Sequence, residues 1–168
     1  MKWIKRILGS RRFRWFSGIS IVFIAAAVTV AAIGPGDVET VPVDPASAIG
    51  AFLEGSGYSD SYRMVVPNVD PEDPAFLDAI AFQRGKLVSK ASGEVVYEGP
   101  APGLVFYVSY DLRKAGPNET AVRMTTIVHY TSRKGRMYFF FVRPVHRLLA
   151  PWGVRYFVRQ AVAATAGK

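Results

Sequence analysis

The spacing of apolar positions changes period several times along the chain, and each change predicts a different element. Residues Trp15 to Gly36 carry no charge, and Ile19 to Ile33 (ISIVFIAAAVTVAAI) are almost wholly apolar. At about 1.5 Å per residue, the roughly twenty residues from Phe13 to Ile33 reach about 30 Å, the thickness of bilayer hydrocarbon. The run predicts a transmembrane helix over 15–34. Gly34-Pro35-Gly36-Asp37 breaks it, and the polar stretch 35–43 reads as a short tether to a domain over 44–164, with 165–168 as a tail. Asp44 and Pro45 suit the N-cap and first position of a helix of two to three turns, with Ile49, Phe52 and Leu53 on one face and Gly55 beyond its end. Asp60 to Val66 alternates as a strand with Tyr62, Met64 and Val66 on one face, closed by Pro67. Asp73 and Pro74 then open a second helix through Phe76, Leu77, Ile80 and Phe82.

Beyond Gly85 the period is two. Glu94 to Glu98 and Leu104 to Leu112 read as strands separated by Gly99-Pro100-Ala101-Pro102-Gly103. In the second, Leu104, Phe106, Val108, Tyr110 and Leu112 share a face, which predicts burial on that side alone. Ala115 to Glu119 is a hairpin turn into Thr120 to Tyr130, where Val122, Met124, Thr126, Val128 and Tyr130 form the core face and His129 stands on the other. After the polar turn Thr131 to Gly135 the segment to Ala163 has the length of a helix, although MYFFFV has strong strand propensity. Met137, Phe141, Leu148, Trp152 and Tyr156 make one drifting apolar stripe, which favours a continuous helix kinked at Pro144. The expected fold is therefore α+β: one N-terminal transmembrane helix, then an antiparallel sheet packed on a long kinked C-terminal helix.

Charge adds an orientation. The net charge of +8 is the sum of three unlike blocks. Lys2, Lys5, Arg6, Arg11, Arg12 and Arg14 precede any acidic residue; all thirteen acidic residues lie between Asp37 and Glu119; nine basic residues and no acid follow. Basic residues before the span place segment 1–14 in the cytoplasm and the domain outside it, in the cell (inner) membrane. The alternative is secretion after cleavage near Ala32, because Val30-Ala31-Ala32 has small residues suited to a signal peptidase. The chain has no cysteine, which excludes disulfides, thiolate metal sites and thiol nucleophiles.

The candidate chemistry is sparse. His129 and His146 are the only histidines, seventeen residues apart, and any acid to pair with them must come from the distant N-terminal half. There is no phosphate loop, no dinucleotide fingerprint and no histidine pair at helical spacing, so no catalytic residue, metal or cofactor is predicted. The acidic run Asp70-Pro71-Glu72-Asp73-Pro74 is read as a helix start rather than a metal site. Splitting of the basic residues by the apolar run argues against a nucleic-acid partner.

The residues Thr125-Thr126, Gly135-Arg136, Tyr138, Arg143-Pro144 and His146-Arg147, in the order TTIVHYTSRKGRMYFFFVRPVHR, resemble the end of the bacterial family called domain of unknown function 2867. Weaker similarity extends to Pro45 to Phe52 and to Asp60-Ser61-Tyr62. The resemblance implies a small START-like (helix-grip-like) domain, its antiparallel sheet curled around a long C-terminal helix, in some members behind a nucleotide-binding reductase domain. It brings no established activity. The chain departs from the family by its predicted span and by a shortened middle between Phe82 and Pro100, which implies a smaller pocket. The expected function is a membrane-anchored module that holds a small apolar ligand or lipid between sheet and helix. The alternative is a structural or interaction domain with a filled core. Arg136, Tyr138, Arg143, His146 and Arg147, the most polar cluster in an apolar segment, are the candidate contacts to an anionic headgroup or carboxylate.

Overall fold

Six strands, each antiparallel to its neighbours, build the sheet: β1 (Val38–Thr40), β2 (Tyr58–Pro67), β3 (Lys86–Ala91), β4 (Glu94–Ala101), β5 (Leu104–Gly116) and β6 (Glu119–Tyr130). In space their order is β1-β2-β6-β5-β4-β3. Among the described residues two α-helices accompany them, α1 (Pro74–Ile80) and α2 (Arg133–Thr165). The structure is a computed structural model, in which residues 37–80, 85–91 and 93–165 are described. The predicted basic segment and membrane helix, and Phe82, lie outside these residues. Among the described residues no helix is long and apolar enough to cross a membrane.

The core faces read for β2 and β6 hold, although Thr125 and Ile127 on the other face of β6 are buried as well. Tyr62, Met64 and Val66 are buried on one face of β2, beside Val122 and Met124 of β6, Tyr110 and Leu112 of β5 and Val95 of β4. Phe76, Leu77 and Ile80 of α1 and Ala150, Val154, Val158 and Ala161 of α2 cover this face and complete the core. Asp73 caps α1 as its type and position predict, its Oδ1 accepting from the Ala75 amide at 2.8 Å.

Four expectations are corrected. The stretch 35–43 is not a plain tether, because Val38–Thr40 pairs with Tyr62–Met64 as β1. The helix expected from Asp44 is a 3-10 turn, Ala48–Phe52. Asp44 Oδ1 accepts from the Ala46 amide at 2.9 Å, a local bond that holds a turn instead of starting a helix. Nor is β5 buried on one side only: Ser109 and Asp111 are buried opposite Tyr110. The 3-10 turn lies over that second face, where Phe52 stacks on Tyr107 with centroids 4.1 Å apart and Ile49 packs with Val96 and Ile127. Glu94 fastens the turn by accepting from the Ala48 and Ile49 amides at 2.7 and 3.2 Å, and His129 Nε2 donates to the Phe52 carbonyl at 2.7 Å.

The fourth correction concerns α2. The helix runs unbroken through Pro144 and Pro151, as the length of the segment predicts. Its buried row, however, is Gly135, Phe139, Ala150, Val154, Val158 and Ala161. Met137, Phe141 and Tyr156 of the predicted stripe are exposed, and Trp152 is half-buried. The two rows differ by two residues, or about 200° around a helix with 3.6 residues per turn. A helix apolar on both sides has no unique phase in its sequence. Close packing at its first turn sets the phase: Ser132 Oγ accepts from the Gly135 amide at 3.1 Å, and a Cβ on Gly135 would stand 1.7 Å from the Gly103 carbonyl oxygen. Gly103, in turn, has a φ of +75°, at the β4–β5 turn.

Candidate binding site around Asp60

Asp60 lies on the core face of β2 between Tyr58 and Tyr62, and its residue is 9% exposed. A carboxylate in such a place needs donors, and three side chains supply them. The Tyr58 hydroxyl donates to Oδ2 at 2.6 Å and the Tyr62 hydroxyl at 3.0 Å. The third donor, His146 Nε2, reaches across from α2 and lies 3.4 Å from each carboxylate oxygen. Burial works to raise the Asp60 pKa, but the His146 bond and charge and the two tyrosine hydroxyls outweigh it and leave the group lowered. Tyr58 is pushed up to about 12 by burial and by the bond to Asp60, and Tyr62 is raised for the same two causes. At neutral pH, therefore, both phenols are donors and Asp60 is ionised.

Tyr58 is also where α2 lays its cations. The Arg143 and Arg147 guanidinium carbons stand 5.0 and 5.7 Å from the Tyr58 ring centroid. Phe139 packs on the same ring at 4.9 Å and His146 meets it edge-on at 6.1 Å. The Arg147 guanidinium lies against Tyr58, and the nearness of that tyrosine's hydroxyl is the first cause that raises the arginine's own pKa. The chain of contacts is thus Arg147 to Tyr58 to Asp60, with His146 and Tyr62 closing on the same carboxylate. Because Asp60 directs its lone pairs to these donors, the charge that this cluster presents outward is positive.

Of the five residues singled out in the sequence, the structure brings Arg143, His146 and Arg147 together. Arg136 sits one step away, its guanidinium 5.7 Å from the Tyr130 ring, and Tyr138 is exposed on a different side of α2. Tyr58, Asp60 and Tyr62 were not recognisable as site residues, because they alternate like any strand face. Their sequence signals were an aspartate in the core register of an apolar strand and the weak family similarity at Asp60-Ser61-Tyr62. Thr126, paired with Asp60 across β2 and β6, is buried, and its hydroxyl has no hydrogen-bond partner among the described residues.

A cleft of about 710 Å³ opens beside this cluster. Its origin is the shortness of β1: pairing with β2 ends at Tyr62, the Val41 amide still donates to the Ser61 carbonyl at 3.0 Å, and the chain then departs. Val41, Pro42, Val43 and Leu53 form one wall, the β2 edge another, and Arg147 with Pro151 the side nearest α2. No nucleophile completes an acid–histidine pair here: among the described residues no serine or threonine hydroxyl bonds to His146, and Ser61 is committed to Thr125 at 2.9 Å.

An antiparallel six-stranded sheet with a long C-terminal helix across one face, and a polar cluster where that helix meets β2, define a small α+β domain with a lateral cleft. The chain belongs to DUF2867, a protein family of unknown function, which it matches over residues 67–152, half of its length. The matched region includes Arg143, His146 and Arg147 but starts after Tyr58, Asp60 and Tyr62. No curated protein matches the chain.

Proposed function

We propose that the domain is a binding module for a small amphiphile with one acidic group, held at the membrane by residues 15–34. Arg147 carries this reading. It stands in the wall of the cleft, oriented by Tyr58, with apolar Val41, Pro42, Val43, Leu53 and Pro151 around it. A guanidinium held over an aromatic ring retains donors for a carboxylate or phosphate, and the apolar walls suit a short hydrocarbon body. A START-like architecture agrees with the long helix across the sheet. The ligand position differs from the one expected between sheet and helix, since that interface is occupied by Tyr62, Met64, Tyr110, Met124 and Val154.

Titration of the full chain with a dansyl-labelled medium-chain fatty acid tests the reading. Saturable binding is expected, weakened about tenfold or more by Arg147→Gln, as for loss of one charge-assisted hydrogen bond, and unchanged by Arg63→Gln, which pairs with Glu39 elsewhere. Equal affinity of the Arg147→Gln and parent chains would overturn it. The filled sheet–helix core favours a second reading, an interaction domain without a ligand. Absence of probe binding, together with absence of co-purifying apolar compounds by mass spectrometry, selects that one.

A further inference from the structure

The outward side of α2's N-terminal half is apolar without a covering element. Phe140 is 72% exposed, Phe141 68% and Met137 63%, with Tyr138 beside them. Four large side chains within five residues form a contiguous exposed patch, which on a folded domain signals an interaction surface. Arg133, Lys134 and Arg136 flank it, and the sequence holds no acidic residue after Glu119.

We infer that this face of α2 is a membrane-docking surface, with the aromatic block in the headgroup–acyl boundary and the flanking cations on anionic headgroups. Charge complementarity selects a bilayer as the occupant: aromatic residues flanked along α2 by Arg133, Lys134 and Arg136 suit an interface of apolar chains beneath negative headgroups. Asp37 is held by α2 as well, its carboxylate lying 3.2 Å from Arg155 Nε and 3.3 Å from Arg159 Nη2. The aromatic block takes the interfacial role, while Arg147 belongs to the Tyr58 site and Arg155 to Asp37. This inference does not depend on ligand binding in the cleft.

The cysteine-free chain permits a direct test. Phe141→Cys and, as a control, Lys90→Cys on the exposed β3 edge each supply one attachment point for a fluorophore. The full chain is reconstituted into vesicles of phosphatidylcholine, or of equal parts phosphatidylcholine and phosphatidylglycerol, containing nitroxide-labelled lipid. Quenching at 141 at least about threefold above that at 90 is expected in the anionic vesicles. It should fall in neutral vesicles, and in anionic ones when Arg133, Lys134 and Arg136 become Gln. Equal quenching at the two positions, or no dependence on headgroup charge, would overturn the inference. So would lipid-independent self-quenching at 141 that is relieved by diluting labelled with unlabelled chain, because the face would then be covered by a second copy.

Discussion

Asp60 shows how a single buried charge can organise a site. With two phenols and an imidazole as donors, its ionised form is stabilised and its pKa lies below the ordinary carboxylate value. A lowered folded-state pKa contributes stability above the unfolded value of about 4, and that contribution is lost as pH falls through the folded value. Asp60→Asn should therefore cost about 2 kcal/mol at pH 7, by analogy with hydrogen bonds to charged groups. The difference from the parent chain should begin to shrink below about pH 4, where Asp60 of the unfolded chain takes up a proton, and reach its minimum only below the lowered folded value. Urea unfolding followed by near-UV circular dichroism at neutral and acid pH measures both. An equal difference at the two pH values would mean that the charge of Asp60 is not what the tyrosines and His146 stabilise. Asp111, on the opposite face, behaves in the other sense: burial dominates over Arg113 and raises its pKa, so this carboxylate favours folding more when protonated.

At the scale of the element, α2 carries the fold on one side and the proposed membrane contact on the other. Val154 is fully buried against α1 and the sheet, whereas Met137, on the opposite row, is exposed. Val154→Ala removes two buried methyl groups and should cost about 2 kcal/mol, the transfer term plus a small cavity. Met137→Ala should change stability by no more than about 0.5 kcal/mol. Chemical denaturation of the two variants compares them directly, and a larger loss for Met137 would place the helix in the other phase. The helix continues through both prolines although each lacks the amide that would donate to the carbonyl four residues earlier. Pro151 is itself buried, and Pro144 lies between Arg143 and His146, the two residues that α2 sends to Tyr58 and Asp60.

Across the whole molecule, the unlike charge blocks of the sequence meet. Asp37 pairs with Arg155 and Arg159, Asp44 with Arg123 at 3.9 Å, and Asp60 with His146. The surface pairs contribute only about 0–1 kcal/mol each, but they fasten the first described residues to the last helix. The chain's orientation is read from the other basic block, Lys2 to Arg14. A reporter active only in the periplasm, fused after Lys168, should be active, and a cytoplasmic reporter at the same site silent. The reverse result would place the domain inside the cell.

Sequence alone determined the strands β2, β5 and β6, the hairpin at Ala115 to Glu119, the cap of α1 and the continuity of α2, because each depends on local period, turn chemistry or length. It also pointed to Arg143, His146 and Arg147, which are polar exceptions in an apolar run. Tertiary structure decided the rest. The buried row of α2 could not be phased from a helix apolar on both sides, and its choice followed from the contact of Gly135 with Gly103. The second buried face of β5 depended on where the segment around Phe52 came to rest. Asp60 lies 86 residues from His146, and only the sheet order, which sets β2 beside β6 under α2, brings this acid to the histidine that lacked one in its own half of the chain.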